Sequence, residues 1–137
     1  MPAAEGHETF LGQVRKEWID VNGHMNVTAY DTVFAAAEAA LYAAAGFTDD
    51  YPMAAGRSFF RVEKHVRYEA ELLAGAAIRV ATRVLRADGR RFHVFHALVD
   101  VGRDRRAATM EVLALHVDLA TRRVVPLADP DHGGTAV

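Results

Sequence analysis

Residues 26–46 read NVTAYDTVFAAAEAALYAAAG, and this stretch decides the architecture. Tyr30, Val33, Phe34, Ala37, Leu41 and Ala44 recur at three- and four-residue spacing, which predicts a helix from about Asn26 to Ala45 with one apolar face. Gly46 supplies its stop. Eight of the eleven residues from Ala35 to Ala45 are alanine, so the helix is strongly favoured and thin enough for strands to approach it from several sides. Such a helix belongs inside something. It is the only long helix the sequence predicts.

Upstream, Phe10 to Ile19 alternates as a half-buried strand does, with Phe10, Val14 and Trp18 on one side and Arg15 and Glu17 on the other. Downstream, a loop containing Tyr51, Pro52 and Gly56 precedes four strand-like runs: Ser58–Tyr68, Ala76–Arg86, Arg91–Val101 and Ala107–Asp118. Asp88 and Gly89 mark one hairpin turn, and Gly102 to Arg105 another. Arg123–Leu127 offers a sixth strand, and residues 128–137 are expected to form a loose tail. The simplest way to bury one helix with hairpin-linked strands is an α+β arrangement, an antiparallel sheet of five or six strands curled around it. One domain over residues 1–137 is expected, and an unpaired edge such as Ser58–Tyr68 predicts a homo-oligomer, at least a dimer.

Composition narrows the function. At 137 residues with a formal charge of −2, the chain lacks the basic surplus that binding nucleic acid requires. No run approaches the ~20 apolar residues of a membrane span, and MPAAEGHETF has no basic segment leading into an apolar one, so neither membrane nor secretion is expected. The absence of cysteine excludes disulfides and thiolate metal ligands and suits a reducing cytoplasm. The pairs Arg90-Arg91, Arg105-Arg106 and Arg122-Arg123 fall at predicted turns and read as solvated hairpins.

The chemistry gathers just before the helix, in WIDVNGHMN, residues 18–26. Asn, Asp and Gly are common caps and turn formers, which accounts for one or two of Asp20, Asn22, Gly23 and Asn26. It does not account for His24 or for an acid set just before the bend. A helix start offers free N–H groups and partial positive charge, so the backbone of Gly23, His24 or Met25 can hold an oxygen that turns negative during acyl transfer. Asp20, a few residues upstream, then serves as general base or nucleophile. That combination suits an activated acyl group such as a thioester.

DVNGHMN followed by Tyr30 and a helix resembles the acyl-CoA thioesterases of the hot-dog superfamily, in the group that contains 4-hydroxybenzoyl-CoA thioesterase. The order of elements is also that of the hot-dog fold. The Asp20, Asn22, His24 spacing is similar to that of plant acyl-carrier-protein thioesterases, and the resemblance implies a catalytic role for all three. EWIDVNGHMN, FFRVEKHVRY, RRFHVFHAL and LALHVDLATRRVVP together resemble the thioesterases of carnitine breakdown, which implies an acyl-CoA substrate with a trimethylammonium acyl group, betainyl, and no cofactor. AATMEVLAL around Glu111 and the alanine-heavy helix depart from that pattern.

For such a substrate, Trp18, Asn26, Tyr30, Phe59 and Phe60 are candidate binding residues, although aromatics at these spacings serve a core equally well. Glu63 and His65 share a strand face, with Arg61 and Arg67 beyond them; they form either a solvated ionic ladder or, as hot-dog relatives imply, part of an interface beside the partner's Asp20 loop. His93 and His96 are three apart on one strand and point to opposite faces, so no metal site is expected. Two alternatives remain. One is a hot-dog hydratase or dehydratase using His24, for which Glu38 is the sole acid on the latter half of the helix; the other is a non-catalytic acyl-CoA-binding module.

Overall fold

The computed structural model describes residues 6–127. Strand β1 (His7–Gln13) leads through a 3-10 turn (Lys16–Trp18) to helix α1 (Val27–Ala44), a short helix α2 (Tyr51–Ala55), and strands β2 (Arg57–Tyr68), β3 (Ala77–Asp88), β4 (Arg91–Asp100) and β5 (Arg105–Asp118). The five strands form one antiparallel sheet in the order β1-β3-β4-β5-β2. Both hairpins fall where the turn residues place them: Asp88 pairs with Arg91 around Gly89, whose φ of 51° suits a two-residue loop. Because among the described residues β2 pairs only with β5, and β1 only with β3, these are the two edges of the sheet.

Helix α1 lies across the inner face of this sheet. Val33, Phe34 and Ala37 are fully buried and pack with Val80, Leu98, Met110 and Val112. Burying side chains of this size contributes about 1.5–3 kcal/mol each. A smaller cluster of Leu41, Phe92, Val94 and Ala114 continues the core toward the helix C-terminus. The sheet covers one side of α1, and Ala35, Ala36, Ala39, Ala40, Ala43 and Ala44 stay exposed on the far side. Among the described residues no helix is long and apolar enough to cross a membrane.

Three expectations need correction. Strand β1 ends at Gln13 rather than Ile19, because the Val14 N–H and carbonyl turn to Ala76 and Gly75 and the chain then coils through the 3-10 turn. Tyr51–Ala55, expected as loop, is helical, with Pro52 in its first turn and Gly56 closing it at φ 67°. Arg123–Leu127 does not form a sixth strand; it docks by a single bridge between Val117 and Val124 and by the Leu127 N–H to the Gly89 carbonyl. The expected tail at 128–137 lies outside the described residues.

A β-bulge in β2 positions side chains that matter below. Phe59 and Arg61 pair with His116 and Ala114, on the inner face, whereas after the bulge Lys64 and Val66 pair with the inner residues Val112 and Met110. One extra residue, Val62, has reversed the alternation. Arg61 therefore points inward while Glu63 and His65 point out.

Candidate active site

The loop from Trp18 to Asn26 closes on itself. Ile19 and Met25 form a bridge, the Asp20 N–H donates to the His24 carbonyl at 3.1 Å, and the Gly23 N–H returns to the Asp20 carbonyl at 3.0 Å. Gly23 holds φ 85°, which few other residues adopt without strain. Asn26 then fastens the loop to the helix: its Oδ1 accepts the Ala29 N–H at 2.9 Å as N-cap, and its Nδ2 donates to the Trp18 carbonyl at 2.7 Å.

The Asp20 side chain sits half-buried at the head of this turn. Its Oδ1 accepts the Asn22 N–H at 2.8 Å, which orients the carboxylate, while Oδ2 takes no donor from the described residues. The His24 ring, also half-buried, donates from Nδ1 to the Met25 carbonyl at 3.2 Å, and its Nε2 takes no partner among the described residues. The backbone donors differ from the expectation. The N–H groups of Gly23 and Met25 are engaged, to Asp20 and to Leu72, because they hold the loop closed. The His24 N–H has no acceptor among the described residues, and neither do those of Val27 and Thr28 in the first turn of α1. The backbone N–H groups left open at the loop are therefore those of His24 and of the helix start.

Beside the loop a cleft of about 390 Å³ is lined by His24, Val27, Tyr30, Tyr68, Glu69 and Glu71. Tyr30 and Tyr68 meet edge to face with ring centroids 5.0 Å apart. Burial, then the neighbouring Tyr68 and Glu71, raises the Tyr30 hydroxyl above its ordinary pKa. Glu69 is gripped by Arg106 through bonds of 2.6 and 2.8 Å, and this pairing holds its carboxyl below the usual range.

Of the residues expected from sequence, Asp20, Asn22, Gly23, His24 and Tyr30 gather at this end of the fold. Trp18 and Asn26 belong to its scaffold instead: Trp18 packs against the main core, and both polar atoms of the Asn26 amide are spent on backbone. Phe59 and Phe60 cannot line one pocket, since Phe59 faces inward against His116 while Phe60 faces outward opposite Leu115. Glu63 and His65 lie on the outer face beside His93 and Glu111, which are paired at 3.2 Å. His96 is buried on the other side of the same strand, and among the described residues no cluster could hold a metal ion.

A second cavity, of about 260 Å³, opens at the other end of α1, between that helix, α2 and the start of β2. Of its residues, Phe59 was expected at a binding site and Glu38 only under the hydratase alternative, while Tyr42, Phe47 and Tyr51 were not expected. The only sequence signal was an acid set among alanines. Glu38 is 4% exposed, and its Oε1 takes two bonds from Arg61, at 2.8 and 3.2 Å. Burial, then the negative charge of Glu38, pushes the Tyr42 hydroxyl well above the ordinary tyrosine pKa.

Residues 14–130 match the family model of the thioesterase-like superfamily. The chain belongs to that superfamily. It is 40% identical over 115 residues to the L-carnitine dehydrogenase/betainyl-CoA thioesterase of Ruegeria pomeroyi, a match spanning 84% of this chain and 23% of that protein. It is 36% identical over 118 residues to the betainyl-CoA thioesterase of Pseudomonas aeruginosa, spanning 86% of this chain and 74% of that one. The chain thus spans about a quarter of the two-function relative and most of the smaller thioesterase. Among solved structures, a Staphylococcus aureus protein in complex with CoA superimposes with a TM-score of 0.82 at 25% identity, covering 97% of this chain and 83% of that one. The sheet across a central helix is the hot-dog fold of these thioesterases.

Proposed function

We propose that this thioesterase-superfamily protein hydrolyses a small acyl-CoA, betainyl-CoA by its likeness to the relatives of that name, to the free acid and CoA. The observation that carries this reading is the Asp20 carboxylate, oriented through one oxygen and open at the other, beside N–H groups with no acceptor. Asp20 takes a proton from water as the water oxygen bonds to the thioester carbon; the carbonyl electrons move onto oxygen, which the His24 N–H and the start of α1 hold. Collapse breaks the C–S bond and expels the CoA thiolate, which takes its proton from Asp20. Direct attack by Asp20, followed by hydrolysis of the anhydride, uses the same groups. Asn22 and His24 support the reaction at the loop.

The working unit in this reading is a dimer. Strand β2 is a free edge, and the exposed alanine side of α1 offers a surface two copies can share. A chain free of cysteine suits the cytoplasm.

The test is Asp20→Asn with thiol release from an acyl-CoA panel. An amide oxygen can still accept the Asn22 N–H, so the loop should persist while kcat falls about 10²-fold or more. Near-normal release by the folded variant would overturn the assignment.

A further inference from the structure

The second cavity has the makings of a cation site. At about 260 Å³ it is smaller than the ~300–1,000 Å³ typical of pockets for larger ligands, a size for a compact head group. Its walls are rings: Phe59 stacks on Tyr42 with centroids 4.7 Å apart, and Phe47 stands edge-on to Tyr51 and to Phe59, each at 4.8 Å. Tyr51 is anchored by its bond of 2.6 Å to His116, whose Nδ1 is turned to the Pro126 carbonyl. The ionic groups lining the cavity are two carboxylates, Glu38 and Asp49, against the single guanidinium of Arg61.

Within that lining, Glu38 Oε2 is buried and has no hydrogen-bond partner among the described residues. That one open acceptor could meet one of the three N–H donors of a primary ammonium and would leave the other two to find partners elsewhere. A quaternary ammonium brings positive charge with no donor to satisfy, and ring faces attract it. We propose that this cavity binds the quaternary ammonium head of the acyl group and presents its thioester to the Asp20 turn of a second protomer.

This inference rests on the thioesterase reading and deepens it. Within one chain the two sites are too far apart: at 1.5 Å per residue, Glu38 lies about 18 Å along α1 from Asn26, far beyond the reach of a short acyl group. Strand β2 links them differently. It begins at the cavity, with Ser58 and Phe59, and ends at the cleft, with Tyr68. Antiparallel pairing of two β2 edges about a two-fold axis brings the beginning of one strand toward the end of the other, and hence the cavity of one protomer toward the loop of its partner.

The test uses the intact protein with two acyl-CoAs of equal shape, betainyl-CoA and 3,3-dimethylbutanoyl-CoA, followed by thiol release. Tetramethylammonium chloride, which has no thioester, is titrated in parallel by NMR. The charged substrate should show a kcat/KM about tenfold or more above the neutral one, the worth of one or two cation–ring contacts. Tetramethylammonium should shift ring resonances of Tyr42, Phe47 and Tyr51. Glu38→Gln should lower the charged-to-neutral ratio about tenfold, and Phe59→Leu provides a second variant should loss of the Arg61 pairing unfold the first. Equal turnover of both substrates, with ring resonances unmoved or moved only elsewhere, would overturn the cation site and leave the thioesterase reading standing. Cavity shifts without thiol release from either substrate would do the reverse.

Discussion

The Asn26 side chain and the Trp18 carbonyl are joined at 2.7 Å, and the same carbonyl also accepts the Asn26 N–H at 2.8 Å. One residue thereby clamps both ends of the loop that carries Asp20, while its Oδ1 caps α1. Asn26→Ala should lower stability by about 2 kcal/mol, roughly one for the cap and one for the lost bond. Asn26→Ser should recover about half, since a hydroxyl still caps. Urea denaturation of the three proteins measures the difference.

Gly23 gives a separate handle on the loop. A Cβ there meets nothing within 4 Å, so the cost of Gly23→Ala is the backbone conformation at φ 85° alone. We expect a loss of about 1–2 kcal/mol, partly restored by Asn, which tolerates positive φ. Because the Gly23 N–H closes the turn, thiol release should fall more in Gly23→Ala than in Gly23→Asn.

Acid should weaken the fold through His96. Its Nδ1 lies 2.7 Å from Thr82 Oγ1, which in turn lies 2.8 Å from Thr9 Oγ1, while Nε2 has no partner among the described residues. Burial, aided by the charge of Arg61, lowers its pKa to about 4 from the ordinary 6.5. The unfolded chain therefore takes up a proton near pH 6.5 that the folded chain refuses until about pH 4. Stability from this source is complete above the higher value and lost as pH falls to the lower, to the extent of about 3 kcal/mol. His96→Gln should flatten the stability-versus-pH curve across that window, as urea midpoints at half-unit steps will show.

The alanine side of α1 should be an interface. Ala40→Arg places a charge on a residue already exposed in the protomer, where it costs the monomer little. Sedimentation should give twice the 15.0 kDa chain mass for the original protein and a lower mass for the variant. An original protein that sediments as an active monomer would overturn the shared site.

How much could be read in advance follows from how local each signal is. The period of Tyr30, Val33, Phe34, Ala37 and Leu41 sits inside one helix, and the turns at Gly89 and at Gly102 to Arg105 sit between neighbouring strands, so α1 and the β3-β4-β5 meander were legible. The Asp20 turn was legible too, because its polar residues are contiguous. The cavity was not. Its Glu38 and Arg61 are 23 positions apart, and Tyr51 meets His116 across 65, so only the folded sheet brings them together. The alternation from Val14 to Trp18 misled because a 3-10 turn can bury the same side as a strand. Which backbone N–H groups remain open at Gly23 and His24 depends on turn closure, which residue types do not disclose.

The bulge at Val62 makes β2 two strands in one. Its first half answers to the cavity and its second half to the cleft, and the odd-numbered residues that face inward in one half face outward in the other. Loss of Val62 alone would restore one unbroken alternation with Arg61 still toward Glu38 and Lys64 and Val66 still toward the helix, and would remove the local bend and twist that the bulge places between the two halves. The extra residue thus leaves the facing of either half untouched and sets the angle between them, from which cavity and cleft take their relative direction.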